Sequence, residues 1–318
     1  MSITTAGSSS NTLRSAYVSE VTVNTTPATP AFKTQHAPAL FDDGVTRFSH
    51  NSLVSRGAPT SDAMLNRETK GKIPTTPLIY AVYDPYFESL LQSSWVANAM
   101  TDGILTQSVT VENMIAAGVE GTATMKRYTG VEATEATIKV PSEGAITVEF
   151  GLLGRQSFDT TTTAITGATY TSPTQDAPFS ALSDFTSITF AGLTFDDVSD
   201  LEISLGYTGK DPQPKITGDV LVGIARGAPN FRIKGKVYIG PNFAVPYNLA
   251  RQQTNAAFKV TINMGSTTLE KYRLEFWKGY MQSAMPDYTG ANAFLDFEIL
   301  AAFSATNNGC LTMTRALA

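Results

Sequence analysis

His36, His50 and Cys310 are the chain's only two histidines and only cysteine, the residues best suited to titrate or attack near neutral pH. Both histidines stand in the N-terminal third, without an acidic or cysteine partner at a spacing that suggests a triad or a metal pair. Cys310 has no local activator and reads as an inert thiol. A single cysteine also excludes an intrachain disulfide and a thiolate metal cluster. Asp42-Asp43 and Asp196-Asp197 could recruit a cation, but carboxylate pairs in polar stretches are ordinarily just solvated. GLLGRQ (Gly151 to Gln156) ends a strand pattern without opening a helix, so it reads as a turn. No phosphate-loop, dinucleotide, zinc or EF-hand pattern occurs, and two positioned glycosidase carboxylates are not identifiable. These residues predict a protein with no catalytic site, metal or cofactor.

The elements around them are mostly strands. One helix stands out, DPYFESLLQSSW from Asp84 to Trp95. Asp84 is placed to accept from the free N–H groups of the first turn, and Pro85 suits the first helical position. Phe87, Leu90, Leu91 and Trp95 recur at three- and four-residue spacing and form one apolar stripe. The flanking sequence offers only sheet to cover it, so the helix is expected as a lid on a β-sandwich or barrel.

Clean hairpin signals follow. Ser108 to Ile115, Gly121 to Gly130, Glu135 to Val140 and Ala145 to Gly154 read as strands, with Pro141-Ser142-Glu143-Gly144 as a tight turn. In the last strand Ile146, Val148 and Phe150 share one face, and Thr147 and Glu149 the other. Further strands are expected at 187–193, 200–207, 216–224, 231–240, 256–264, 271–277 and 294–303, with a weak helical turn from Val245 to Arg251. Upstream, residues 1–16 read as a flexible segment and Tyr17 to Asn24 as a short strand. Residues 33–80 read as an irregular arm or loop, containing at most short strands near Arg47 to Val54 and Leu78 to Val82. The Thr-rich tract 157–183 reads as a surface loop or a projection toward a neighbouring subunit. Trp95, Phe150, Phe190, Phe276, Trp277, Phe294 and Phe297 are expected in the core. The fold class is mainly β with one flanking helix, and the domain a single unit over 17–318.

Composition narrows the function classes. Charged residues make up 16%, hydrophobic ones 42%, and the formal net charge is −5. Net acidity disfavours affinity for nucleic acid through phosphate neutralisation, but not a protein that lets DNA pass without sticking. The N-terminus has no apolar run like that of a signal peptide, and no stretch of about 18 apolar residues predicts a membrane helix. A cytosolic origin is therefore expected.

The ordered features TPATPAF, NSLVSRG, GKIPTTPLIYAVYDPYFESLLQSSW, DGILTQSVTVENM and RYTGVEATEATIKVPSEGAITVEFGLLG resemble the tail tube (major tail) proteins of long-tailed bacteriophages. Tyr83-Asp84 leading into a helix ending in Trp95, the Gly103 to Glu112 stretch and the Tyr128-Thr129-Gly130 step carry most of the likeness. GIARGAPNFRIKGKVYIGPN and FLDFEILAAF resemble the family's later strands. The resemblance implies a β-sandwich that assembles into six-fold rings, stacked as a hollow tube through which DNA passes into the host. It implies as partners other copies of the chain, the tape measure protein and the tail terminator and distal tail proteins, with DNA only in transit and no membrane. The location implied is the virion, after assembly in the host bacterial cytoplasm. Under this reading Thr137, Lys139, Thr147 and Glu149 are candidates to face the lumen. Phe87, Leu90, Leu91 and Trp95 pack the helix, and 33–80 and 157–183 are candidates for contacts between rings. The alternative is a β-sandwich carbohydrate-binding or adhesive module, which would carry an exposed aromatic row and a secretion route. A β-fold hydrolase is disfavoured by the scarcity of histidine and of nucleophile motifs.

Overall fold

The computed structural model describes residues 14–51, 59–116, 123–195, 197–209, 211–214, 220–240, 243–252, 257–289 and 292–317, with backbone alone at 44–51, 59–68 and 115–116. In chain order the elements are β1 (Arg14–Ser19), β2 (Ala31–Thr34), β3 (Leu40–Asn51), β4 (Pro59–Pro77), α1 (Asp84–Leu91), β5 (Ala99–Thr101), β6 (Val109–Ala116), β7 (Thr124–Val140), β8 (Thr147–Gly154), β9 (Gln156–Ser157) and β10 (Thr169–Thr171). There follow α2 (Ala181–Asp184), β11 (Phe185–Phe190), β12 (Leu193–Phe195), β13 (Val198–Gly206), β14 (Pro212–Gln213), β15 (Gly223–Ile224), β16 (Arg232–Tyr238), α3 (Ala244–Arg251), β17 (Phe258–Met264), β18 (Tyr272–Asp287), β19 (Phe294–Ala301) and β20 (Leu311–Arg315). The fold is mainly β, as its alternating sequence requires.

Two long strands organise it. The expected strands 121–130 and 135–140 are one strand, β7, which changes neighbours along its length. Its first half lies between β6 and β9, and its second half between β8 and β13. β18 behaves likewise: residues 272–279 pair with β17 and residues 279–287 with β19, while β20 lines its start. The result is a front sheet, β4-β8-β7-β13-β16-β19-β18, antiparallel throughout. A second sheet runs β10-β2-β1-β6-β7, and a third β12-β11-β17-β18-β20-β5. Bulges interrupt β7 between Ala133 and Glu135 and β18 between Met281 and Ser283, at or just past each change of partner. At the β7 change, Gly130 holds φ +60° and the Arg155 side chain lies where a Cβ would sit, so glycine is required.

The core lies behind the front sheet. Val148 and Phe150 on β8, Ala136 and Ile138 on β7, Leu201 and Ile203 on β13, Ile233 on β16 and Leu295, Phe297 and Ile299 on β19 all point into one cluster. Gly235 interrupts the apolar positions of β16 because the Phe297 ring occupies that place, 2.7 Å from a would-be Cβ.

Several expectations are corrected. Residues 33–80 are not irregular throughout: among the described residues β3 and β4 pair antiparallel, with a register from Leu40↔Lys72 to Asn51↔Pro59. The strand expected near Arg47 to Val54 is part of β3 up to Asn51, its last residues lying outside the described ones. Leu78 to Val82 is no strand but the turn entering α1. The first strand is 14–19 rather than 17–24, because the Glu20 carboxylate accepts the Asn24 N–H at 2.7 Å and folds the chain into a turn, leaving Val21 97% exposed. Of the strand expected at 216–224, 216–219 lie outside the described residues and Gly223–Ile224 forms the short strand β15. β20, residues 311–315, was missed; LTMTR is too short to signal by itself. Residues 1–13 of the N-terminal segment lie outside the described residues.

Candidate assembly surface

The four residues expected on a polar face come together. Thr137 stands opposite Glu149 and Lys139 opposite Thr147 across β7 and β8, all pointing away from the core. The face continues much further than the hairpin. One row across the strands reads Thr147, Lys139, Glu202, Lys234, Glu298, Ser283. The next reads Glu149, Thr137, Ser204, Arg232, Leu300, and a third Asp200, Lys236, Asp296, Met285. Charge alternates along the rows. Lys139 pairs with Glu202 at 3.4 Å, Arg232 with Glu298 at 2.8 Å, and Lys236 with Asp296 at 3.4 Å and Asp287 at 3.7 Å. Thr75 on β4 donates to Glu149 at 2.9 Å. A shallow groove of about 350 Å³ runs over Glu202, Lys234 and Glu298. Sequence reasoning missed the positions on β13, β16 and β19, although the strict alternation of DLEISLG, RIKGKVY and FLDFEIL carries the signal.

Phe87, Leu90 and Leu91 are fully buried, but the helix is not a one-sided lid. Tyr86 and Ser89 are buried too: the Tyr86 hydroxyl donates to Gln35 at 3.0 Å, and Ser89 accepts from the Ala133 N–H at 3.0 Å. α1 is therefore enclosed by the sheets rather than laid over one. It ends at Leu91, where Gln92 takes a left-handed conformation, so Trp95 lies beyond the helix and only half-buried. Pro85 is the second helical residue and Asp84 the first, and the cap position, Tyr83, makes no side-chain cap. Asp84 instead turns inward. It accepts from the Tyr272 hydroxyl at 2.5 Å and pairs with Arg315, whose guanidinium lies 4.5 Å from the Trp95 ring centre. Burial outweighs both partners and holds the Asp84 carboxyl above the usual carboxylate range. Tyr272, almost wholly buried and facing that carboxylate, is pushed far above an ordinary phenol.

Three further buried carboxylates fasten loops to the sheets. Glu20 accepts from Ser108, Thr110 and the Gly130 N–H at 2.5, 2.7 and 3.0 Å. Glu132 lies between Arg155 at 2.8 Å and Arg226, holding the segment around Val222. Glu112 accepts from Arg127 at 2.7 Å and from the Tyr170 hydroxyl at 2.6 Å, with Arg14 at 3.5 Å. Burial first, and then this contact, pushes the Tyr170 hydroxyl up to about 12. The Thr-rich tract is thus fastened to its own subunit: Tyr170 also stacks on Phe32, Thr161 bridges Met125, and Phe179 is buried. Replacing Tyr170 with Phe keeps the stack and removes a hydrogen bond to a charged acceptor. A loss of roughly 1.5 kcal/mol is expected in thermal melts, with faster proteolytic nicking between 158 and 171.

His36 is exposed, and the His50 side chain and Asp196 lie outside the described residues. Asp43 pairs with Lys126. Burial, with Asp102 adding to it, pushes the Cys310 thiol up to about 12. Among the described residues no group of three or more His, Cys, Asp and Glu could hold a metal, and no helix is long and apolar enough to cross a membrane. Of the aromatics expected in the core, Phe150, Phe190, Phe276 and Phe297 are buried. Trp95, Trp277 and Phe294 are partly exposed.

The chain belongs to the phage tail tube protein family, whose sequence model matches residues 10–293. No curated protein matches it. Membership makes it a structural component of the virion that assembles into the tail tube.

Proposed function

We propose that six subunits form a ring, that rings stack into the tail tube, and that the polar face of the front sheet lines the lumen through which DNA passes into the host. The carrying observation is that face: charged rows on one side, core on the other, and an unpaired backbone edge at β3. Among the described residues β3 pairs only with β4, whereas at the other end α3 packs against β18. Pairing the β3 edge with a neighbour would remove it from solvent and continue the sheet around the ring. Residues 59–68 of β4 pair only with β3, so a two-stranded ribbon continues past the front sheet. Such a ribbon is marginal alone and suits a contact with an adjacent ring. With the sheet's outer face given to the lumen, α1 belongs on the outer side of the tube. The remaining partners on this reading are the tape measure, tail terminator and distal tail proteins, met during assembly in the bacterial cytoplasm.

Electron microscopy of the purified protein is expected to show stacked rings, whereas a monomer at high concentration overturns the reading. In Thr137→Cys and Thr147→Cys tubes, a small maleimide is expected to react and a bead-linked maleimide too wide for the bore is not. Both reagents should label unassembled subunits. Equal bead labelling of tubes would place this face outside.

A further inference from the structure

We infer that the part of the front face from β7 to β19 is a self-masking charge ladder, built so that the cations of these strands offer no phosphate site to duplex DNA; this rests on the lumen reading above. A lumen could avoid DNA by lacking cations, but besides Lys72 on β4 this face keeps four on its inner strands. Lys139 stands on β7 and Arg232, Lys234 and Lys236 on β16, with β13 between them, all with solvent-facing side chains. Each has a carboxylate within reach on an adjoining strand: Glu202 for Lys139, Glu298 for Arg232, and Asp296 for Lys236. Lys234 stands in register between Glu202 and Glu298.

The stability argument for such pairs is weak, since exposed ion pairs contribute about 0–1 kcal/mol each. Their effect on a passing polyanion is larger. DNA affinity comes mainly from cations that displace condensed counterions, and a lysine already matched by a carboxylate displaces few. Because the alternation runs across strands, the compensation is row by row. Along β16 Arg232, Lys234 and Lys236 form one positive column, but the carboxylates of Asp200 and Glu202 on β13 and of Asp296 and Glu298 on β19 flank it on both sides, so a duplex meets it only between negative columns.

The test uses Glu202→Gln combined with Glu298→Gln, near-isosteric changes that leave Lys139, Arg232 and Lys234 with no carboxylate directly opposite. Assembled tubes are incubated with linear duplex or with covalently closed circles, which have no end to thread. Wild-type tubes are expected to bind neither at 50 mM salt. Variant tubes should bind linear duplex and not circles, with affinity falling roughly forty-fold between 50 and 200 mM salt for about three phosphates contacted. Intact variant tubes that bind no DNA overturn the masking, as do wild-type tubes that bind equally well. Binding of circles and linear duplex alike upholds the masking but overturns the lumen placement. If the variant fails to assemble, the same salt dependence measured on unassembled subunits with a short duplex decides the masking.

Discussion

Leu91→Asp is expected to abolish the folded subunit, and with it every ring and tube. Leu91 is fully buried, and its carbonyl accepts the Gly103 N–H at 2.8 Å, so it cannot swing toward water without breaking the α1 terminus. Losing the leucine costs about 1.5–3 kcal/mol of burial. Enclosing a carboxyl without a partner adds several more, because it must be held neutral or desolvated as an ion. The sum, above about 5 kcal/mol, rivals the whole stability of an ordinary domain. Circular dichroism should show loss of cooperative melting, and electron microscopy no rings. Leu91→Met, which nearly conserves volume, should cost less than about 1.5 kcal/mol and assemble normally. Normal rings from Leu91→Asp would mean that the helix is not enclosed as described.

Arg315→Met carries the second-largest expected effect, and its size depends on pH. Arg315 is the cation paired with buried Asp84, and breaking a buried pair from one side costs roughly 3 kcal/mol near neutrality. The Asp84 carboxyl already binds its proton more tightly in the folded chain, chiefly through burial. A raised folded value means that its contribution is full below the unfolded carboxylate pKa of about 4 and is lost as pH rises through the folded value. Removing Arg315 raises that value further. The variant's deficit should therefore be greatest near neutrality and shrink as the pH falls toward 4, where Asp84 is protonated and Tyr272 and Asp84 can still share a hydrogen bond. Asp84→Asn should flatten the profile. Thermal melts across this range check both, and a deficit that stays constant with pH would remove Asp84 from the explanation.

The part of the polar surface first read from sequence was the part encoded locally. Thr147 and Glu149 alternate with Val148 and Phe150, and the PSEG turn fixes their partners as Lys139 and Thr137, so two strands' worth of face is written into some twenty residues. Glu202, Lys234 and Glu298 obey the same alternation, but nothing local says that β13 joins β7 or that β19 joins β16 across long connections. The charge ladder exists only once those pairings are made. A similar limit explains the helix. Its apolar spacing was legible, but its end was misplaced because Trp95 falls on the same stripe, and nothing in the spacing shows that Gln92 turns left-handed.

The sequence alone settled what depends on neighbours along the chain: the β class, the helix near Asp84, the hairpin at Pro141 to Gly144, the scarcity of reactive groups and the likeness to tail tube proteins. Tertiary structure decided what depends on distant partners. Asp84 became an interior anchor to Tyr272 and Arg315 instead of a helix cap, and the Thr-rich tract became a strap held by Glu112. A carboxylate follows the strongest donors that the fold brings near it, and those donors come from strands far away in sequence, which local spacing cannot encode.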